Sequence, residues 1–225
     1  MLKEYVEVSS VLDVGCGQGA WLSVWKSLGV KEILGLDGGY VEKARLLIEP
    51  GEFVAHDLRT PFDLERRFDI VQSLEVAEHL PEHSSEAFVD ALTRHGDLVV
   101  FSAAPPGQGG DHHVNEQPYE YWRRKFAARG YVALDFLRPR LSGRREIAPW
   151  YRYNIFLFAS RERMKTLATE IAKHEVPARD RLQDISPWLY RIRKGLVRLL
   201  PVPLASRLAR IKELVFVYRP RNNRP

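Results

Sequence analysis

Between Val11 and Leu22 the chain reads V-L-D-V-G-C-G-Q-G-A-W-L, and few folds accept such a run. An apolar strand interrupted by one acid is followed by a turn with glycine at every second position, and then by apolar residues compatible with a helix. Glycine permits positive φ and lets a ligand approach the backbone closely. The first turn of the following helix offers unpaired amides to a polar or anionic group. Gly15, Gly17 and Ala20 also satisfy the G-x-G-x-x-G/A dinucleotide fingerprint, so the turn alone does not choose its ligand.

The rest of the chain alternates between strand-like and helix-like segments. Strands are expected at 11–14, 32–36, 52–55, 68–72, 97–103, 131–137 and 153–159, and helices at 20–28, 40–48, 75–80, 84–94 and 118–129. Repeated β-α units imply an α/β doubly wound, mainly parallel sheet with helices on both faces. Residues 138–152, with Pro139, Gly143 and Pro149, contain no convincing helix, so the last two strands are expected to form an antiparallel edge.

In an open sheet of this kind the ligand lies beyond the carboxyl ends of the strands. Three successive strands end in an acid: Asp13, Asp37 and Asp57. Asp37 has the offset from Gly15 expected of a carboxylate that receives a ribose diol. Asp57, beside Leu58, suits an exocyclic amine over which Leu58 covers an aromatic face. Asp13 opposes a pyrophosphate by like charge and suits a ligand carrying an ammonium group. Any one of these acids could be a helix N-cap, but three in register with a glycine turn point to a ligand.

The blocks V-L-D-V-G-C-G-Q-G, G-L-D, A-H-D-L and F-D-I-V-Q-S-L-E-V-A-E-H-L stand in the order and approximate spacing of the class I S-adenosylmethionine-dependent methyltransferases. Residues 8–160 resemble that family. The resemblance implies a Rossmann-like sheet in the order 3-2-1-4-5-7-6 with strand seven antiparallel, and S-adenosyl-L-methionine as methyl donor. It implies that Asp13, Gly15, Gly17 and Gly19 hold the methionine part, Asp37 the ribose, and Asp57 with Leu58 the adenine, while Ser73 and Leu74 form the floor. Cys16, Gly38, His56 and Glu75 complete the expected cofactor set. Family members usually carry ~30–50 residues of helix before the first strand as a cofactor lid; about ten residues precede it in this chain. Residues 138–152, with Arg144, Arg145, Trp150 and Tyr151, and the segment after Ser160 are the candidate substitutes.

Two clusters bear on the methyl acceptor. On a helix, Glu75, Glu78 and His79 would share one face, and two carboxylates with an imidazole suit a divalent ion. A similar E-x-x-E-H stretch is a metal site in the ubiquinone-pathway O-methyltransferases. Many relatives with the same stretch use no metal, and none is expected for this chain. The second cluster is the loop 105–117, which follows strand five and overhangs the site. Methyl transfer depends on alignment, and a hydroxyl acceptor also needs a base near neutral pH. His113 or His112, oriented by Asp111 or Glu116, is the expected base, with His79 bordering the pocket. Gln108, Asn115, Glu116, Tyr119 and Trp122 are the candidate acceptor-binding residues, although the two aromatics lie on a helix and suit the core equally. The P-G-Q-G-G…H-V-N-E-Q pattern resembles bacterial methyltransferases associated with sugars, surface glycans and specialised metabolites. The expected reaction is therefore O-methylation of a small molecule or glycan. Nitrogen and carboxyl acceptors stay open, as does an inactive cofactor-binding scaffold with an adaptor tail.

The net charge of +5 hides an asymmetry. From Arg191 onward ten basic residues face one acid, Glu213, so the first 190 residues are mildly acidic. An acidic body without interleaved basic and aromatic residues does not suit nucleic acid. A methyltransferase domain at 1–160 and a basic helical extension at 161–225 are expected. Helices are expected at 161–173, 188–200 and 204–215. In the second, Ile192, Leu196, Leu199 and Leu200 form an apolar stripe among arginines, suited to packing on the body, to a homodimer or to an anionic membrane surface. Packing is the expected outcome. The single cysteine, Cys16, the absence of a signal-like leader and the lack of a long apolar run lead to the expectation of a cytoplasmic protein.

Overall fold

The computed structural model describes residues 1–199; the expected helix at 204–215 lies outside the described residues. A seven-stranded sheet runs in the order β3-β2-β1-β4-β5-β7-β6. Its strands are β1 (Ser10–Val14), β2 (Glu32–Asp37), β3 (Phe53–Ala55), β4 (Ile70–Leu74), β5 (Leu98–Ser102), β6 (Tyr131–Leu134) and β7 (Phe156–Ser160). The first five are parallel, while β7 is antiparallel to both β5 and β6. This is the expected Rossmann-like topology.

The central strands are apolar on both faces because both faces are covered. Leu12, Val14, Val99, Phe101, Phe156 and Phe158 enter one core with Phe126 and Trp122. Their neighbours Val11, Leu98, Val100 and Leu157 enter the other, with Leu22, Phe136 and Ile171. The helices are α1 (Ala20–Ser27), α2 (Ser85–His95), α3 (Tyr119–Ala127), α4 (Leu137–Leu141), α5 (Pro149–Asn154), α6 (Arg161–Met164), α7 (Thr169–Ala172) and α8 (Trp188–Val197).

Two expected helices do not form. Over 40–48 there is only a 3₁₀ turn, Lys43–Arg45, and Leu46 is extended. The Leu47 amide donates to the Gln18 carbonyl at 2.8 Å, which commits this segment to bracing the glycine turn and overrides its helix propensity. Over 75–80 the chain makes a 3₁₀ turn, Ala77–His79. Glu75 has φ +57, which breaks the helix at its start. Pro81 limits it at the other end, and the Glu78 carbonyl is taken by the Val114 and Asn115 amides.

Conversely, the link between β6 and β7 does contain helix, namely α4 and α5. Tyr151 of α5 meets Trp21 of α1 edge-on at 5.3 Å, so this link reaches the helix that follows the glycine turn. The expected helix at 161–173 is split into α6 and α7. Beyond Ser160 the described chain is built into the body. Ile171, Leu167 and Leu182 are buried. The buried Arg123 guanidinium donates to the carbonyls of Val176, Pro177 and Asp180.

Candidate active site

The glycine turn closes over the end of β2. The Gly15 and Cys16 amides donate to the Leu36 carbonyl, and the Gly17 amide donates to Asp37 Oδ2 at 2.6 Å. Gly15 has φ +86, and a Cβ there would lie 2.2 Å from Val76, so both conformation and space demand glycine. Beneath the turn, Asp13 is fully buried and its Oδ2 has no hydrogen-bond partner. Burial pushes its carboxyl up to about 7 against the influence of the Gln72 amide, and the charge of Asp37 adds to the rise. Cys16 buries its thiol against the core, where burial pushes its pKa up, and the thiol donates to the Gly17 carbonyl of the turn at 3.4 Å.

A cavity of about 790 Å³ opens beside the turn. Its walls include the expected Gly15, Gly17, Asp37, Gly38, His56, Asp57, Leu58, Glu75 and His79. Tyr40, Arg59 and Val76 also line it, and sequence reasoning missed all three. Tyr40 was assigned to a helix that does not form; its hydroxyl donates to Asp37 Oδ1, an oxygen expected to receive ribose. Arg59 grips both carboxylate oxygens of Asp57 and holds that carboxyl at about 2, so the expected adenine acceptor is engaged by a neighbour two residues on. Ser73 and Leu74 lie in β4, with Ser73 completely buried and its hydroxyl unpartnered.

The three residues of the E-x-x-E-H stretch meet different surroundings. The Glu75 carboxylate accepts from Gln108 Nε2 at 2.6 Å and from Asn154 Nδ2 at 3.3 Å; desolvation lifts its pKa against those two amides. Asn154, at the end of α5, also donates to Gln108 Oε1 and accepts from the Tyr119 hydroxyl. Sequence reasoning missed it, its only signal being its place before β7. Glu78 is fully buried and neither carboxylate oxygen has a partner. Burial, then the charge of Glu75, pushes its pKa well above the usual carboxylate range. His79 lines the cavity. Its Nδ1 meets the His112 carbonyl at 3.3 Å, which leaves Nε2 as the basic nitrogen.

Within the loop 105–117, Glu116 is the organising residue. It accepts from the Gly107 and Gly109 amides and from His113 Nδ1, at 2.7, 2.7 and 2.8 Å. Burial opposes its charge, but these three donors hold its carboxyl below the usual range. The His113 ring stands edge-on to His79 with centroids 4.9 Å apart. Glu78, His79 and His113 bring ligand atoms within 4.8 Å of one another, so the cation-capable set differs from the expected one by exchange of Glu75 for His113. Three expectations are corrected. His112 keeps 78% of its side chain exposed beside Asp111 and contributes a carbonyl rather than a base. Asn115 is buried, its amide donating to the Ala77 carbonyl and the Ser85 hydroxyl, and does not line the cavity. Trp122 packs on Phe101 in the core, and Tyr119 is buried behind Asn154, so neither ring lines the cavity beside the glycine turn.

Residues 2–131 match the family model of a methyltransferase domain. The chain belongs to that family. The methyl donor of this methyltransferase is S-adenosylmethionine. Among solved structures, DesVI of Streptomyces venezuelae superposes with a TM-score of 0.53 at 17% identity, over 68% of this chain and 84% of that one. The methyltransferase domain of bacterial CtHen1-C gives 0.52 at 22% identity, over 71% and 92%. The magnesium protoporphyrin IX methyltransferase of Synechocystis PCC 6803, solved with bound SAH, gives 0.50 at 18% identity, over 67% and 73%. At these identities the likeness is one of fold. No curated protein matches the sequence.

The residues present fit the donor. A turn that admits only glycine against Val76 gives a polar ligand access to the backbone. The orphaned Asp13 carboxyl would answer its ammonium group, Asp37 its ribose, and Leu58 with His56 its purine. When bound, S-adenosylmethionine supplies a methyl carbon made electrophilic by a sulfonium.

Proposed function

We propose that this methyltransferase methylates a hydroxyl of a small acceptor, a sugar or glycan unit or a related metabolite, with His79 as general base. The observation that carries this reading is the imidazole of His79 in the cavity wall, backed by His113 and, through it, by Glu116. Desolvation and the neighbouring His113 hold the His79 pKa below its usual value, so the ring is neutral at pH 7 and ready to take a hydroxyl proton. Glu75 lines the cavity and is held in place by the buried amides of Gln108 and Asn154, so its carboxylate is fixed where it suits a ring hydroxyl of a sugar. A carboxylate acceptor, already ionised at pH 7, would need no such base.

The test is turnover on a panel of hydroxylated sugars and glycan fragments, with His79→Gln beside the native protein. The expected result is a fall in kcat of roughly 10²–10⁴-fold with the donor Kd unchanged. The native rate should fall only below the ordinary histidine pKa. Full activity of His79→Gln, or turnover confined to amines, overturns the reading.

A second reading rests on the unpartnered Glu78 carboxylate beside two imidazoles: a divalent cation held by Glu78, His79 and His113. Activity lost to a chelator and restored by a divalent metal would favour it over the base.

A further inference from the structure

Helix α8 packs with its polar side inward. Lys194 is buried against Asp184, and its backbone carbonyl lies so close to Gly107 that a Cβ there would sit 2.0 Å away. Val197 lies against Gly109, and Arg193 donates to the Gln108 carbonyl at 3.1 Å. The helix is therefore clamped over the acceptor loop through Lys194, Val197 and Arg193. Its apolar residues look the other way. Trp188 is 61% exposed, Leu189 63%, Ile192 52% and Leu196 63%, and Leu199 just past the helix end is 81% exposed. At helical spacing these five side chains occupy one arc of about 100°. The expectation that the stripe packs on the body is thus reversed: the helix packs, and its stripe does not. Contiguous exposed apolar surface of this kind marks an interaction site.

The edge of the stripe says what covers it. Arg191 and Arg198 join Arg181 around a cavity of about 410 Å³ whose floor includes Pro105, Pro106 and Tyr119. The two acids in its wall are already engaged, Asp184 by Lys194 and Glu120 by Arg123 and the Leu182 amide. Arg181, Arg191 and Arg198 form no ion pair among the described residues. The sequence beyond Leu199 adds six further cations against the single acid Glu213. A dimer through the stripe would set like-charged edges side by side. An anionic bilayer surface takes apolar side chains at the acyl boundary and guanidinium groups at its phosphates, and a tryptophan at one end of the stripe is typical of that interface. No described helix is long and apolar enough to cross a membrane.

We infer that α8 docks this methyltransferase on an anionic phospholipid surface, with the stripe in the interface and a lipid phosphate in the Arg181–Arg191–Arg198 cavity. Because α8 lies directly on Gly107 and Gly109, docking brings the acceptor loop to the bilayer. The inference does not depend on the identity of the acceptor atom.

The test is co-sedimentation of the full chain with vesicles of phosphatidylcholine, with and without phosphatidylglycerol. Binding to the phosphatidylglycerol vesicles is expected, and it should fall roughly tenfold or more in Ile192→Asn/Leu196→Asn. In Arg191→Ser/Arg198→Ser the preference for anionic over neutral vesicles should disappear. The substituted side chains are solvent-facing, and unchanged thermal melts confirm folded variants. Absence of vesicle binding, equal binding to neutral vesicles, or native binding by the Ile192/Leu196 variant overturns the proposal. So does a lipid-free dimer that the same variant dissolves, which would assign the stripe to a second copy of the chain.

Discussion

Asp13 shows what burial does to one side chain. Its carboxyl has no hydrogen-bond partner at Oδ2 and titrates near 7, because a charge there lacks both water and a counterion. A cationic ligand group stabilises the carboxylate, so donor binding near pH 7 should release protons, and affinity should rise from pH 6 to pH 8 before levelling off. Calorimetry in buffers of different ionisation enthalpy measures both. Asp13→Asn should weaken binding by about 1.5–3 kcal/mol, the range for a hydrogen bond to a charged group, and flatten the pH dependence. Unaltered pH dependence in that variant would remove Asp13 from the donor site. Asp13, Asp37 and Asp57 were legible in the sequence because a strand end fixes a residue's place without long-range information. Their present partners were not legible: the Tyr40 hydroxyl on Asp37 and the Arg59 fork on Asp57 depend on turns whose conformation no periodicity announces.

At the scale of elements, the 75–80 segment carries the main correction. The i, i+3, i+4 spacing of Glu75, Glu78 and His79 would gather them on an α-helix. The left-handed Glu75 and the capture of the Glu78 carbonyl by Val114 and Asn115 instead turn Glu75 to Gln108 and Asn154 and leave Glu78 and His79 beside His113. Non-glycine residues persist in that conformation where the surroundings fix them, and Glu75 is held by Gln108 and Asn154. Glu78 is left buried and unpartnered, and its stability effect has a definite sign. Its folded pKa lies above the unfolded value, so the fold is favoured while the group is protonated and loses stability as pH rises above the ordinary carboxylate range. Glu78→Gln, freed of metal with a chelator, should match the native protein near pH 4.5. It should be the more stable of the two at pH 8, because the amide carries no charge to desolvate. Chemical denaturation at the two pH values measures the difference. A variant that is less stable at pH 8 would show that Glu78 holds a favourable charge.

For the whole molecule, the described part of the extension is structural. Ile171, Leu167 and Leu182 complete one core or the other. Arg123 and Arg138, both buried, donate to carbonyls between Val176 and Gln183. A chain ending at Ser160 would expose the apolar surface that Leu167, Ile171 and Leu182 cover and remove these acceptors from Arg123 and Arg138, at several kcal/mol. It should lose cooperative unfolding in calorimetry, while a chain ending at Leu199 keeps it. A sharp native-like transition in the shorter chain would make the extension dispensable for folding.

The glycine turn, the strand-end acids and the β-α alternation determined the fold, the family and its methyl donor. Each is a local signal: a positive φ, a strand terminus or a hydrophobic period is set within a few residues. Only the tertiary structure decided which imidazole faces the cavity, that Glu78 is buried without a hydrogen-bond partner, and that α8 turns its apolar stripe to solvent. These depend on contacts between residues 30 to 90 positions apart, such as His79 with His113 and Arg193 with Gln108. A helical pattern specifies that an apolar face exists. What that face meets is decided by the surface the rest of the chain presents, and the loop at Gly107 and Gly109 accepted the polar side of α8.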